Sequence, residues 1–382
     1  MKATLKLRLH LSPEAEALLL ETLRQATASF NAVTTQGWET GQRNGTRLHH
    51  ATYSALREAY PYLPSQLHCA ARVKALEALK STDERKKQGR KVSCPTSALC
   101  PVRYDARSYW VKLQEGVASL ATTGGRVCVQ FNVCQYYQRY LTWKPCSADL
   151  CYDAKNGVFH IHVVLDTAAP ETVRQGTLGV DLGITEIASD SEGNQYSGDT
   201  IKSVRRRVRR IRRLLQSKGT KSAKRHLKRL RQKQSRFTRN TNHVISRRLV
   251  ATAATSRKAL ALEDLNGIRD RAETVFSREM RWLMGNWAFD QLRQFMSYKA
   301  EAAGLPVVLV DPRNTSRTCS RCGYCDKGNR KSQDKFVCLE CGFELNADFN
   351  AAINIGARAD SSDGLLCRSK GSPNDQAQAQ RL

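Results

Sequence analysis

The chain has no apolar run near the roughly 18 residues that a membrane-crossing helix needs, so no membrane partner is expected. Its first stretch, MKATLKLRLHLSPEAE, has charges threaded through it and lacks the apolar centre of a secretory leader. No Tyr or Ser recombinase motif is recognisable, which sets aside a strand-transferring transposase, and no segment repeats. Between Lys202 and Asn240 there is no Asp or Glu at all, against eighteen Lys or Arg. Nothing in that stretch offsets its self-repulsion, so it calls for a polyanion.

What is present bounds the class. The chain has 382 residues, 41% of them hydrophobic, which excludes wholesale disorder and allows two or three domains. Its formal net charge of +27 points to a polyanionic partner, either nucleic acid or an anionic membrane surface. Within the acid-free window, Val204, Val208, Ile211 and Leu215 recur at helical spacing, and Ala223, Leu227 and Leu230 resume it after Ser217-Lys218-Gly219-Thr220. That pattern predicts two basic helices in an antiparallel hairpin over 202–240, each with a narrow apolar seam. Arg205, Arg206, Arg209, Arg210, Arg212, Arg213, Lys224, Arg225 and Lys228 are the candidate phosphate contacts.

Four of the thirteen cysteines form two Cys-x-x-Cys pairs, Cys319/Cys322 and Cys338/Cys341, fifteen residues apart. This is zinc-ribbon spacing. Four thiolates leave no open coordination position, so one structural Zn²⁺ is expected. Cys325 offers a second register with Cys322. A glycine follows Cys322 and Cys341 alike, at the place where the chain must turn, and favours the first register. The other nine cysteines are scattered, as in a reducing compartment.

In chain order, Ala3, Leu5, Leu7, Leu9 and Leu11 alternate with polar residues as a half-buried strand. Ser12-Pro13-Glu14 opens a helix whose apolar face is Leu19, Leu23, Ala26, Phe30 and Val33. Further helices are expected over Leu48–Ala59 and from Ser65 to about Lys80, and Asp83–Lys91 reads as an exposed linker. From Val102 to Asp166 strand patterns dominate, suggesting an antiparallel barrel that takes in the first strand. After a linker over 167–175, strands are expected at Thr177–Asp181, Ile184–Ser189, Ala259–Glu263 and Pro306–Val310, with a helix over Arg281–Ala303. The polar tail over 359–382 is expected to be disordered.

Three acids occupy comparable places. Asp181 and Glu263 end strands, and Asp348 opens the closing helix directly after the cysteine pairs. Carboxylates converging at strand ends suit two hard divalent cations such as Mg²⁺. Asp264 follows Glu263, but strand alternation sends it to the opposite face. Asp311 also ends a strand and stays a competitor.

These stretches resemble a known family. GVDLGIT around Asp181, ALEDLNGI around Glu263, and the block TSRTCSRCG…CLECGFELNADFNAAINI resemble the three RuvC motifs and embedded zinc ribbon of TnpB. TnpB proteins are transposon-encoded, RNA-guided DNA endonucleases related to type V CRISPR effectors. The resemblance is specific over 176–358 and weaker over 1–166. It implies an α/β RNase H-like (RuvC) nuclease over 176–313 and 343–358, with the ribbon over 314–342. It also implies a β-barrel wedge domain over 1–11 and 83–166, with a helical recognition insert over 12–82. Asp181, Glu263 and Asp348 would hold two catalytic Mg²⁺ beside the structural Zn²⁺ on Cys319, Cys322, Cys338 and Cys341. The implied partners are a guide RNA from the transposon end and a target double-stranded DNA. The protein would act as a monomer on its RNA, in the cytoplasm at the nucleoid. A short duplex motif would be read by the N-terminal lobe; polar positions on the second and third helices, His49, Thr52, Ser65 and Gln66, are the candidates. A compact CRISPR effector and a cleavage-silent guided repressor are the alternatives.

Overall fold

A computed structural model describes residues 1–170, 175–265, 281–282, 287–361 and 365–367. The chain divides into two units, Met1–Ala168 and Ala169–Leu382.

The first unit is built on a seven-stranded antiparallel sheet. Its strands are β1 (Lys2–His10), β2 (Val102–Tyr104), β3 (Tyr109–Lys112), β4 (Val117–Thr122), β5 (Gly125–Phe131), β6 (Lys144–Asp153) and β7 (Val158–Asp166). They run in the order β2-β6-β7-β1-β5-β4-β3, so β1 lies at the centre. The Tyr104 hydroxyl, on one edge strand, donates to the Ala121 carbonyl beside the other edge at 3.0 Å, and the sheet is nearly closed into a barrel. Leu5, Leu7 and Leu9 are buried while Lys6, Arg8 and His10 face out, as the alternation dictates.

Three helices are inserted between β1 and β2: α1 (Pro13–Glu39), α2 (Gly45–Ala59) and α3 (Ser65–Lys87). Ser12 caps α1, accepting from the Ala15 amide, and Asn44 caps α2 through the Thr46 and Arg47 amides. All five apolar positions expected on α1 are buried. The linker expected from Asp83 is corrected: α3 runs on to Lys87. Arg43 grips Asp83 with both arms of its fork, at 2.7 and 3.0 Å, and Arg85, Lys86 and Lys87 suit the negative end of the helix.

The second unit holds a six-stranded mixed sheet in the order β10-β9-β8-β11-β12-β15. Its strands are β8 (Thr177–Asp181), β9 (Glu186–Asp190), β10 (Gln195–Ser197), β11 (Ala259–Glu263), β12 (Val307–Val310) and β15 (Leu365–Cys367). A small hairpin of β13 (Lys335–Val337) and β14 (Glu344–Asn346) belongs to the cysteine-rich segment. Its helices are α4 (Asp199–Lys218), α5 (Lys221–Thr255), α6 (Phe289–Ala302) and α7 (Ala347–Asp360). Gly219, at φ +63°, ends α4, and Thr220 caps α5 through the Ala223 amide. Two expectations change. Of the helix sought over Arg281–Ala303, Trp287-Ala288 is not helical and 283–286 fall outside the described residues. The tail is not wholly irregular, because Leu365–Cys367 pairs antiparallel with β12; 362–364 and 368–382 lie outside the described residues. Among the described residues no helix is long and apolar enough to cross a membrane.

One contact sets the position of α7. A Cβ on Gly179 of β8 would run into the Ala352 carbonyl and the Gly356 backbone nitrogen, so the helix lies directly on the strand. Gly179→Ala is expected to push α7 outward and cost about 1–3 kcal/mol or more. A urea midpoint equal to that of the unsubstituted protein would show that the helix accommodates the methyl group without penalty.

Candidate metal and nucleic-acid site

Strands β8 and β11 are parallel neighbours, with Val180 paired to Leu262. Their carboxyl ends therefore coincide, and Asp181 and Glu263 come side by side across 82 residues of sequence. Helix α7, seated on β8, brings its first turn to the same end. Asn346 caps that helix by accepting from the Asp348 and Phe349 amides, and Asp348 is buried. Asp181 feels both of the other acids. Burial, then the charges of Glu263 and Asp348, push the Asp181 carboxyl up to about 8. Burial also raises Glu263, opposed by a hydrogen bond from Thr315 and by Arg358 and Arg330. Burial raises Asp348, opposed chiefly by Arg330. Asp334 and Glu186 add negative charge near Asp348.

This is a cluster of hard oxygen donors whose mutual repulsion a divalent cation relieves, and the residues fit Mg²⁺ better than a soft metal. Its spacing is open. Among the described residues, only the four cysteines bring three or more His, Cys, Asp or Glu ligand atoms all within 4.8 Å of one another. Asp264 turns away and pairs with Arg293 at 3.8 Å. Asp311 is exposed, and its side chain accepts from the Arg313 amide.

Cys319, Cys322, Cys338 and Cys341 form that thiol set. The two turns are built alike. The Cys319 amide donates to Tyr324 and the Cys338 amide to Phe343, both at 2.9 Å, while Gly323 and Gly342 sit at φ +80° and +67°. A side chain at either glycine would be strained. Cys319 and Cys341 sulfurs are 3.8 Å apart, Cys322 and Cys338 sulfurs 3.6 Å, which suits a tetrahedral ion such as zinc. Cys325 is exposed and lies outside the set, so the register with Gly323 is the one observed.

The ribbon also supplies residues that sequence reasoning missed. Arg330, beside the small hairpin, reaches Asp348 at 3.4 Å. Thr315, at the ribbon's root, donates to Glu263 at 2.5 Å. Asn350 and Asn354, one turn apart on α7, hold that root: Asn350 donates to the Thr318 carbonyl and accepts from the Ser320 amide, and Asn354 donates to Thr315 and Thr318. The repeated asparagine in NADFNAAINI was the available signal. Nothing in the pattern marked Arg330.

The basic residues separate by helix face. Arg206, Arg210, Arg212, Arg213, Lys224, Arg225 and Lys228 are exposed. Arg209 lies with its guanidinium 4.7 Å from the Trp282 ring centre. Arg205 is corrected: it is 6% exposed, one turn from buried Ile201 and Val208, and burial pulls its guanidinium down. It lines a cleft of about 440 Å³ with Arg209, Arg212 and Arg213. Replacing Arg206, Arg210, Arg213 and Lys224 by Gln is expected to flatten the dependence of nucleic-acid affinity on salt. The slope should fall by about 0.7–0.9 for each phosphate no longer neutralised. A slope unchanged in a salt titration would make this face merely solvated. In the helical insert, Thr52 is buried and donates to the Leu48 carbonyl, and Gln66 is engaged by Asp105. His49 stacks on Tyr53 at 4.4 Å, and Ser65 is exposed.

Residues 160–267 match the family model OrfB_IS605, described as "Probable transposase", and residues 289–355 match the Cas12f1-like TNB domain. A 113-residue stretch is 33% identical to "TnpB-like protein MJ0751" of Methanocaldococcus jannaschii, over 30% of this chain and 40% of that protein. Another, of 124 residues, is 44% identical to "CRISPR-associated endodeoxyribonuclease Cas12f1" of Sulfoacidibacillus thermotolerans, over 32% of this chain and 28% of that protein. The chain is related to TnpB and Cas12f proteins. Its matches span less than half the length of these two relatives. It shares its fold with the protein of a Cas12f1–sgRNA–target DNA complex, at a TM-score of 0.66 and 13% identity, covering 93% of this chain and 98% of that one. The TNB match encloses both the cysteine set and Asp348, so ribbon and acid come as one matched block.

Proposed function

We propose that this chain is an RNA-guided DNA endonuclease of the TnpB kind, with an RNase H-like (RuvC) nuclease formed by 176–313 and 343–358 and the ribbon over 314–342. The observation that carries the reading is the convergence of Asp181, Glu263 and Asp348 at one end of the mixed sheet. The strand order, β10, β9 and β8 joined by antiparallel pairing and continued by β11 and β12 parallel to β8, supports it. The three carboxylates would hold two Mg²⁺, which supply an activated water and charge stabilisation for phosphodiester hydrolysis. Thr315 fixes the Glu263 carboxylate, and Asn346 fixes the turn that bears Asp348. Arg330 places a guanidinium beside the acids, where the scissile phosphate would have to lie. The exposed face of the α4–α5 hairpin would grip nucleic-acid phosphates, and guide–target pairing would supply sequence choice.

The guide would come from the transposon end, and the protein would work as a monomer on it at the nucleoid. The identity to Cas12f1 favours a compact CRISPR effector as the second reading. An array in the neighbouring DNA would support that reading, and transposon ends the first. A silent repressor has no use for a complete acid trio. The test is to purify the protein from its native host, sequence the RNA that travels with it, and offer a matching DNA duplex with Mg²⁺. Guided binding without cutting under any divalent metal would leave the repressor.

A further inference from the structure

The Met1–Ala168 unit carries a surface that nuclease chemistry does not use. Between β5 and β6, residues Gln135–Tyr140 form a short 3-10 helix, QYYQRY. Its rings make a chain: Tyr137 to Tyr140 at 6.4 Å between centres, and Tyr140 to Trp143 at 4.9 Å, edge to face. Tyr137, Tyr140 and Trp143 pack against the barrel core and anchor the short helix. Tyr136 does not join that core and is 65% exposed. The Tyr136 ring meets those of Tyr137 at 5.6 Å and Tyr140 at 6.5 Å between centres, and Arg139 lies against it. Its guanidinium carbon lies 4.4 Å from the Tyr136 ring centre and 4.7 Å from that of Tyr140, and it donates to both phenol oxygens at 2.6 and 2.8 Å. A large exposed ring thus has a planar cation beside it.

The surroundings are cationic. The Lys6 amide donates to the Tyr137 oxygen at 3.4 Å, so the short helix sits beside the outward row of β1. Lys6 and Arg8 are exposed on that row and pair in register with His162 and His160 of β7. Burial, and then Lys6, hold both histidines below their usual range, and Asp149 on the neighbouring strand is engaged by Lys74 at 3.0 Å.

We propose that Tyr136, backed by Arg139, stacks an unpaired base of an RNA strand whose phosphates run along Lys6 and Arg8. An aromatic face bordered by cations matches single-stranded nucleic acid, because stacking needs a free base face and a duplex has none to offer. A chain of net charge +27 selects a polyanion over an apolar protein surface. RNA in preference to DNA rests on the guided-nuclease reading above.

The test uses the full-length protein and two probes, a short oligouridine RNA carrying 4-thiouridine and a DNA duplex of equal length. Under long-wave ultraviolet light the RNA is expected to crosslink to the peptide containing Gln135–Trp143. Tyr136→Ala should lower the yield there by roughly 5- to 100-fold, as loss of one stacked base implies, and leave duplex affinity unchanged. Tyr136→Trp should restore the crosslink. Lys6→Gln with Arg8→Gln should lower the salt dependence of that crosslink by between about one and two units of slope. An equal loss for duplex, crosslinks only elsewhere, or full yield with Tyr136→Ala would overturn the platform. Equal crosslinking of an oligodeoxyuridine would overturn RNA as its partner and leave the stacking itself standing. A protein that crosslinks as expected yet cuts no guided target would sink the nuclease reading and not this one.

Discussion

Asp181→Ala is expected to abolish guided DNA cleavage, with a loss on the order of 10³-fold or more. Asp181 ends β8, Glu263 ends the parallel strand beside it, and Asp348 opens the helix seated on β8. The charges of Glu263 and Asp348 raise the proton affinity of Asp181, and the three acids are expected to act as one unit. Adding Glu263→Ala to Asp181→Ala should therefore cost little more. Binding of RNA and matched DNA should persist, because the phosphate grip is assigned to other residues. Arg330→Ala, which removes the cation beside Asp348, should leave more activity than Asp181→Ala, with a loss of about 10²- to 10³-fold if it steadies charge on the phosphate. The measurement is single-turnover cleavage of a guide-matched duplex by each variant, with Mg²⁺ and in chelator. Full cutting by Asp181→Ala, or cutting that ignores chelation, would place the chemistry elsewhere.

Cys338→Ser is expected to release the structural metal and, with it, the order of the acid cluster. Four sulfurs within 4.8 Å of one another would make the small β13–β14 hairpin depend on a bound ion, since its hydrophobic cluster is small: Cys319, Phe336, Cys338 and Ala347, with Phe343 packed against them. Metal binding and folding are then one event, and the apparent binding energy in small zinc modules is roughly 10–16 kcal/mol. The damage should travel. Arg330 and Thr315 reach Asp348 and Glu263 from this segment, and Asn350 and Asn354 tie its root to α7. Elemental analysis should give one zinc per chain for the unsubstituted protein and for Cys325→Ser, and a clear deficit for Cys338→Ser. Proteolysis of Cys338→Ser should cut first within 314–346. Zinc lost from Cys325→Ser would overturn the thiol register, and zinc absent from the freshly purified protein would overturn the site.

The parts of this chain legible from sequence are those whose cause is local. Strict alternation from Ala3 to Leu11 gives a strand with one dry face because successive side chains must point opposite ways, and Leu5, Leu7 and Leu9 are indeed buried. Paired cysteines followed by glycines describe two turns completely, and the four sulfurs meet. A glycine between two runs of period 3.6 marks a helical hairpin, and Gly219 sits there in the left-handed region. Element ends were less legible. α3 runs on to Lys87 with Arg85, Lys86 and Lys87 in its last turn, and the grip of Arg43 on Asp83, forty residues away, is a contact no neighbouring residue reports.

Local pattern thus defined a basic, thiol-stapled chain with three acids at element ends. Which of those residues meet was settled by the folding of distant segments onto one another. Asp181 and Glu263 become neighbours through the pairing of β8 with β11, a register set by hydrogen bonds between distant strands. Asp348 joins them because Gly179 and Gly356 lack side chains that would hold helix and strand apart. Arg205 turns inward and Arg206 outward because adjacent positions on a helix lie about 100° apart and only one face of α4 is covered. Leu365–Cys367 becomes a strand because β12 offers an open edge for its backbone. Arg330 reaches Asp348 because the folded ribbon carries it there, and that placement belongs to the packing of the whole unit, where no short stretch of sequence can encode it.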